Sequence, residues 1–368
     1  MSQLQLFDGY AIYGPGCILE GKVLFGFDLD HTIIRPQVGT FYKGVTDWEF
    51  VPGMDGVLKT LSRVGVVALF TNQGGVAAGK TTIAEVVARI DAVMKKVGVE
   101  FLAFMALSPQ YRKPSPMLFR ELIYGYMPEY TRGFYCGDAS SEDDFADTDY
   151  RFALNTGLDY IPVTAMPRVF MDAHVGAPAV DTVTAELTPH VLHTRLTRPP
   201  VREYIVPGAV IPVPNADTSI LVITVGPPGC GKSTYAKSLG CLNLWTHISR
   251  DALGTAAKCV TALKRAIAHP RVIIDATHPD VQSREPFIKI ARAAGMHICA
   301  VVFTPPIEVA KYMNRVRAIT GGNYVPDIAY GMFAKRYVAP TIAEGFAQII
   351  MVNQIPQTCP DEYLDWYL

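Results

Sequence analysis

Two α/β domains in tandem, each built on a parallel sheet with helices on both faces, are what this 368-residue sequence predicts. Three observations carry the prediction. An apolar strand, a loop of acidic or glycine residues and then a helix follow one another twice, at Lys22–Phe27 leading into Asp28 and at Ser219–Val225 leading into Gly226. Between the two lies Arg198–Thr218, which holds five prolines and has the extended, helix-poor composition of a linker. In both halves short apolar runs alternate with helical stretches, the pattern of strands joined by helical crossovers. The expected division is residues 1–200 for the first domain, 201–218 for the linker and 219–355 for the second domain, with a tail of unassigned role at 356–368.

The individual elements follow from periodicity. In the first half Val64–Phe70 and Gly133–Cys136 are short apolar runs suited to buried parallel strands. Ile83, Val86, Val87, Ile90, Val93, Met94 and Val97 recur at helical spacing and read as a core-packing stripe with no function. In the second half Val272–Ile274 and His297–Phe303 read as further strands. There is no internal repeat and no low-complexity tract.

Composition narrows the class. Hydrophobic residues make up 49% and charged residues 18%, so the chain can bury its cores and is globular. No apolar run is long enough to span a bilayer, and the start, Met-Ser-Gln-Leu-Gln-Leu, lacks the basic and apolar stretches of a secretory signal. A soluble intracellular protein without a membrane partner, and a monomer, is expected. The seven cysteines (17, 136, 230, 241, 259, 299 and 359) show neither CxxC nor zinc-type spacing and read as reduced thiols. Net charge is −1 overall, but residues 1–200 carry 17 Lys+Arg against 22 Asp+Glu and residues 201–368 carry 16 against 12. The basic second half is compatible with a polyanionic substrate.

Gly226-Pro-Pro-Gly-Cys-Gly231-Lys232-Ser233 fits GxxxxGK[ST] in full, follows an apolar strand and opens a helix. Such a loop cradles phosphates with backbone N–H groups, places a lysine at the outer phosphates and offers a hydroxyl to Mg²⁺. Gly226, Gly229, Gly231, Lys232, Ser233 and Thr234 are therefore the expected ATP-binding set. Downstream, His247-Ile-Ser-Arg250-Asp251 puts a carboxylate where a kinase would take the proton of an acceptor hydroxyl, with Arg250 able to hold an incoming phosphate. Asp251 also reads as the N-cap of the next helix, and the two readings are compatible. Asp275 ends an apolar strand as a second Mg²⁺ ligand would, and Arg315 and Arg317 close a helix as a phosphate lid or as a solvated helix end.

In the first half Phe27-Asp28-Leu-Asp30-His-Thr32 puts two carboxylates on the same side of an extended chain. A carboxylate that attacks phosphorus and one that protonates the leaving oxygen need that relationship. Thr71 and Asn72 end a second strand, Lys113 precedes a helix, and Asp138 ends a third strand with Glu142, Asp143, Asp144, Asp147 and Asp149 close behind. These four elements, in this order, resemble those of the haloacid dehalogenase phosphatases. The resemblance implies a Rossmannoid phosphatase domain in which Asp28, Asp30 and Asp138 hold Mg²⁺ while Thr71, Asn72 and Lys113 bind phosphate.

Such a phosphatase followed by a P-loop kinase resembles the polynucleotide kinase 3′-phosphatase family. The likeness runs from about Gly21 to Ile350 and includes GKVLFGFDLDHTII, LFTNQGG, YRKPSPMLF, RFALNTGL, GPPGCGKSTYAK, VIIDATHPD and APTIAEGF. It implies that Asp28 is the phosphatase nucleophile and Asp30 its acid/base. In the kinase it implies that Lys232 and Ser233 hold ATP and Mg²⁺ and that Asp251 is the base. Arg250, with Lys258 and Arg284 as further candidates, would meet the nucleic-acid 5′ end, and Arg315 and Arg317 fall in the lid. Three departures stand out. His31 replaces a glycine of the family pattern, the loop after Asp138 is short, and the forkhead-associated domain of the animal enzymes is missing, so scaffold docking through it is not expected. The family implies nucleic acids with 3′-phosphate or 5′-hydroxyl ends as partners and a nuclear address, for which the chain shows no basic import signal. RNA in place of DNA, a small-molecule kinase/phosphatase fusion acting on a sugar or nucleoside, and a nucleotide-dependent binding protein without catalysis are the rival readings of the same motifs.

Overall fold

A computed structural model describes residues 2–140, 147–167, 170, 179–193, 201–205, 219–240, 245–355, 359 and 361–368. The chain forms two compact units, Met1–Leu196 with Trp366–Leu368 and Thr197–Asp365.

Seven strands make the main sheet of the first unit: β1 (Ser2–Phe7), β2 (Tyr10–Pro15), β3 (Val23–Phe27), β6 (Val66–Asn72), β7 (Leu102–Ala106), β8 (Arg132–Gly137) and β9 (Asp159–Pro162). Their order is β1-β2-β7-β6-β3-β8-β9. A separate two-stranded ribbon, β4 (Ile34–Arg35) with β5 (Glu49–Phe50), follows β3. The five strands from β7 to β9 are parallel, as the sequence predicts, whereas β1 and β2 add an antiparallel edge that the sequence reading left out. β3 lies centrally and is buried along its whole length. Phe25 and Phe27 pack on one face and Leu24 on the other, so every residue of this strand must be apolar or small.

The helical stripe forms Ile83–Val97, started by a capping box between Thr82 and Glu85 and stopped by Gly98 in the left-handed region. Val86, Ile90, Val93, Met94 and Val97 are buried from it as expected, and so is Arg89.

The second unit carries five parallel strands, β10 (Ile220–Val225), β11 (Thr246–Ser249), β12 (Arg271–Asp275), β13 (His297–Phe303) and β14 (Gln348–Val352), in the order β11-β12-β10-β13-β14. β10 is central and its side chains alternate between two core layers, Leu221, Ile223 and Val225 against Ile220 and Val222. Loops at the carboxyl ends of such central strands are where open α/β sheets hold ligands.

Two segments differ from expectation. Within the expected linker, Val201–Tyr204 is a helical turn and Ile205 bridges Ile355, with Val201 and Ile205 buried; residues 206–218 lie outside the described residues. Of the unassigned tail, Trp366 and Leu368 are buried, and the Tyr367 backbone exchanges hydrogen bonds with Asn155 at 2.7 and 3.2 Å. No helix among the described residues is long and apolar enough to cross a membrane.

Candidate active sites

At the carboxyl ends of β3, β6 and β8 the first unit gathers a set of charges that no apolar core would hold without purpose. Asp28 follows the last residue of β3 and is tied there by its amide, which donates to the Cys136 carbonyl at 2.9 Å. Lys113 reaches it with Nζ 2.6 Å from Asp28 Oδ1, and the same ammonium lies 2.7 Å from Asp149 Oδ1 and 2.9 Å from the Tyr135 hydroxyl. The Lys113 backbone is fixed by Asn72, whose side chain accepts from its amide at 2.8 Å and donates to its carbonyl at 3.3 Å. Thr71 is buried and accepts from Gln73 Nε2 at 2.9 Å, and Gln73 Nε2 also donates to Asp30 Oδ2 at 3.3 Å. Thr32 donates to Asp138 at 3.5 Å. The predicted group Asp28, Asp30, Thr71, Asn72, Lys113 and Asp138 is thus brought together from four chain segments.

One ammonium cannot offset this many buried carboxylates. Burial pushes the Asp28 carboxyl well above the usual carboxylate range; the Lys113 charge opposes this, and Asp149 and Asp30 add to it. Burial alone would lower Lys113, but Asp149 and Asp28 outweigh it and push the ammonium up to about 12, so it stays charged. Burial and the Asp149 charge likewise raise Asp138. The deficit is one of positive charge, and Asp28, Asp138 and Asp149 each turn an oxygen inward with all three within 4.8 Å of one another. Three carboxylate oxygens of this kind fit a hard divalent cation such as Mg²⁺.

That trio differs from the expected ligand set, Asp28, Asp30 and Asp138. Asp30 is turned toward Gln73, and Asp149, left open by the sequence, takes the third place. Asp143 and Asp144 lie outside the described residues. Gly137 is glycine because a Cβ there would come within 2.4 Å of the Asp149 carboxylate. His31 has φ 64°, a left-handed conformation that glycine adopts freely and histidine tolerates, so the family's glycine is replaced without loss of the turn. Tyr135 was missed altogether: its hydroxyl sits between Lys113 and Asp149, yet in sequence it is one more aromatic residue in a strand.

In the second unit Gly226, Gly229 and Gly231 all have positive φ (153°, 77° and 91°), the loop conformation that GxxxxGK requires. A Cβ on Gly229 would stand 2.3 Å from the Ala310 carbonyl, so the loop packs directly on the helix Ile307–Ile319. Lys232 is buried with Nζ 2.5 Å from the Pro227 carbonyl, folded against the loop it is expected to serve. Ser233 and His247 both hydrogen-bond Asp275, His247 Nε2 lying 3.1 Å from Oδ2. Burial would raise Asp275, but these two bonds and the Lys232 charge outweigh it and hold the carboxyl below its ordinary value. Ser233 and Asp275 are neighbours, and Thr234 lies in the same helix as Ser233, Lys232–Gly240.

Arg250 and Asp251 are exposed on the short helix Arg250–Leu253 at the end of β11. Ser249, accepting from the Ala252 amide, is its N-cap, which removes that alternative for Asp251. Lys258 is exposed on the next helix. Arg315 and Arg317 occupy the last turns of Ile307–Ile319; Arg317 donates to Asn314 at 2.8 Å and Arg315 faces Asp327 at 4.0 Å. Arg284 does not meet its expectation. It is fully buried, clamps Glu344 with Nε and Nη2 at 2.8 Å each and donates Nη1 to the His278 and Val338 carbonyls, so it is a structural cation out of reach of an oligonucleotide.

Comparison with known proteins places these sites in a context. Residues 23–165 match the family "Polynucleotide kinase 3 phosphatase" and residues 255–340 match the family "AAA domain". A bifunctional polynucleotide phosphatase/kinase of Schizosaccharomyces pombe is 26% identical over 99% of this chain and 88% of its own length. A protein of Acanthamoeba polyphaga mimivirus, provisionally named bifunctional polynucleotide phosphatase/kinase, is 27% identical over 89% of this chain and 83% of its own. The first half of the chain thus matches a phosphatase family, and nearly the whole chain is similar to bifunctional polynucleotide phosphatase/kinases, which makes it an enzyme with a phosphatase and a kinase domain.

Proposed function

We propose that the protein heals nucleic-acid ends, removing 3′-phosphates in its first domain and phosphorylating 5′-hydroxyls in its second so that breaks become fit for ligation. The observation that carries this reading is the buried Lys113–Asp28 pair, 2.6 Å apart, at the strand ends beside Asp138 and Asp149. A carboxylate flanked by a fixed ammonium is a nucleophile aimed at an anionic centre.

In the first domain an Asp28 oxygen bonds to phosphorus as the bond from phosphorus to the 3′-oxygen breaks, and Asp30 gives that oxygen its proton. Asp30 then takes a proton from water, whose oxygen displaces the Asp28 carboxylate and releases phosphate. Lys113, Thr71 and Asn72 hold the phosphoryl group. Mg²⁺ bound by Asp28, Asp138 and Asp149 would supply the positive charge that this pocket lacks. In the second domain Asp251 takes the proton of the 5′-hydroxyl, and the freed oxygen attacks the γ-phosphorus of ATP while ADP departs. Lys232 and an arginine of the Arg315–Arg317 turn stabilise the charge in transit, and Ser233 and Asp275 are placed to hold Mg²⁺. Arg250 and Lys258 are accessible to the acceptor strand.

The test is one oligonucleotide with a 5′-hydroxyl and a 3′-phosphate, incubated with labelled ATP and Mg²⁺ and followed at both ends. Label entering the 5′ end and phosphate leaving the 3′ end, both competed by unlabelled oligonucleotide and weakened by salt, is the expected result. Turnover of free sugars or nucleosides in preference to the oligonucleotide would overturn it. Matched DNA and RNA oligonucleotides report the preferred polymer.

A further inference from the structure

We infer that Tyr42, stacked on Arg89, is a positioning residue that holds the Asp30 carboxyl group in line with the departing oxygen; the inference rests on the reading of Asp30 as proton donor given above. The segment between β4 and β5 returns to the end of β3 and brings in Tyr42, whose hydroxyl donates to the Ile34 carbonyl at 3.4 Å. Ile34 is bridged to Asp30 through the backbone, and the same Ile34 carbonyl accepts from the His31 amide at 2.7 Å. The Tyr42 phenol therefore stands against the turn that carries Asp30. Burial, then the Asp30 charge, push it far above its ordinary value.

Arg89 fixes the ring from the other side. It is 6% exposed, its Cζ lies 4.0 Å from the Tyr42 ring centroid, and its buried Nε has no hydrogen bond. A guanidinium withdrawn from water this far needs compensation, and the electron-rich ring face provides it. The core-packing stripe of Ile83–Val97 thus includes one residue whose partner belongs to the site.

Asp30 needs such support. Gln73 fixes Oδ2 at 3.3 Å, while Oδ1 is buried without a hydrogen bond, so the carboxyl is restrained at one oxygen only. Proton donation requires the donor oxygen within hydrogen-bond reach of the leaving oxygen. A phenol bonded to the Ile34 carbonyl holds the turn that carries Asp30, and with it the position of the carboxyl group. Its effect should appear only where a proton is transferred: an alkoxide leaving from phosphorus must receive one from Asp30, whereas nitrophenolate departs without it.

The experiment compares kcat/KM, which covers the steps up to departure of the leaving group, on a 3′-phosphoryl oligonucleotide and on p-nitrophenyl phosphate, using the full chain with Mg²⁺. Asp30→Asn should lose about 100-fold or more on the oligonucleotide and less than about 10-fold on the aryl ester. Tyr42→Phe should lose about 10-fold on the oligonucleotide and less than about 3-fold on the aryl ester, and Arg89→Met should follow it. If Asp30→Asn shows the difference but Tyr42→Phe slows both substrates alike, or neither, the role of Tyr42 is overturned while Asp30 remains the donor. If Asp30→Asn itself slows both alike, the donor assignment fails and the positioning role falls with it.

Discussion

Arg284 and Lys113 are both buried cations, and their neighbours decide what each can do. Arg284 meets a single carboxylate, Glu344, with matched geometry and two backbone carbonyls, so it joins the helix Val281–Ala293 to the turn at Ile342–Glu344 and leaves nothing over for a ligand. Replacing it leaves Glu344 buried without its partner. Arg284→Ala is expected to destabilise the second unit by about 3–5 kcal/mol in urea unfolding, while the salt dependence of oligonucleotide binding keeps its slope. Lys113 meets two carboxylates and a phenol at the strand ends, so positive charge is still lacking around it. In sequence these two residues look alike, since both are basic and both precede or begin a helix. Asp28, Asp30 and Asp138 were legible because strand ends fix where they point. Asp149 was hidden within an acidic run whose members spacing cannot rank, and Tyr135 within a strand whose aromatic residues look like core.

At the scale of elements, what the sequence signalled depended on whether local rules or distant partners shape the element. The helix Ile83–Val97 has its stripe, its capping box and its glycine stop, all within the chain segment itself. The hairpin β1–β2 also had a local signal, Asp8-Gly9 as a two-residue turn between Phe7 and Tyr10, but its alternating Gln and Leu residues give only a weak strand pattern at an exposed edge. The packing of Trp366 and Leu368 depends on distant residues and had no local sign. The turn after β12 shows how an element stores a pH response. His278 has φ 41° and a buried ring whose Nδ1 lies 2.8 Å from the Thr224 carbonyl. Burial, reinforced by the Lys232 and Arg284 charges and opposed by that bond, lowers its pKa from 6.5 to about 4. Below 6.5 the unfolded chain gains a proton that the folded chain refuses. Stability is therefore fully present above that pH and should fall by about 3 kcal/mol as pH drops toward 4. Urea unfolding of the full chain between pH 7.5 and 4.5 should show this slope, and His278→Asn, which tolerates the same backbone, should flatten it.

For the whole molecule, the parallel strands that the sequence predicts are present in both units, and Asp28, Asp138 and the Gly226–Ser233 loop stand at the carboxyl ends of β3, β8 and β10. The two sites differ in how they treat phosphorus. The first is rich in carboxylates around one ammonium and suits removal of a phosphoryl group through Asp28. The second sets a glycine loop and a buried lysine at the end of β10 and, on the proposed reading, suits donation from a triphosphate. The central claim is that these are two independent sites in one chain, and separation of function tests it most directly. Asp28→Asn and Lys232→Ala are made in the full chain, and both ends of a 5′-hydroxyl, 3′-phosphate oligonucleotide are followed. Asp28→Asn should abolish 3′-phosphate release with 5′ phosphorylation intact, and Lys232→Ala should cut 5′ phosphorylation by about 10²–10³ with phosphate release intact. Loss of both activities in either folded variant, or survival of phosphate release without the Asp28 carboxylate, would contradict the account.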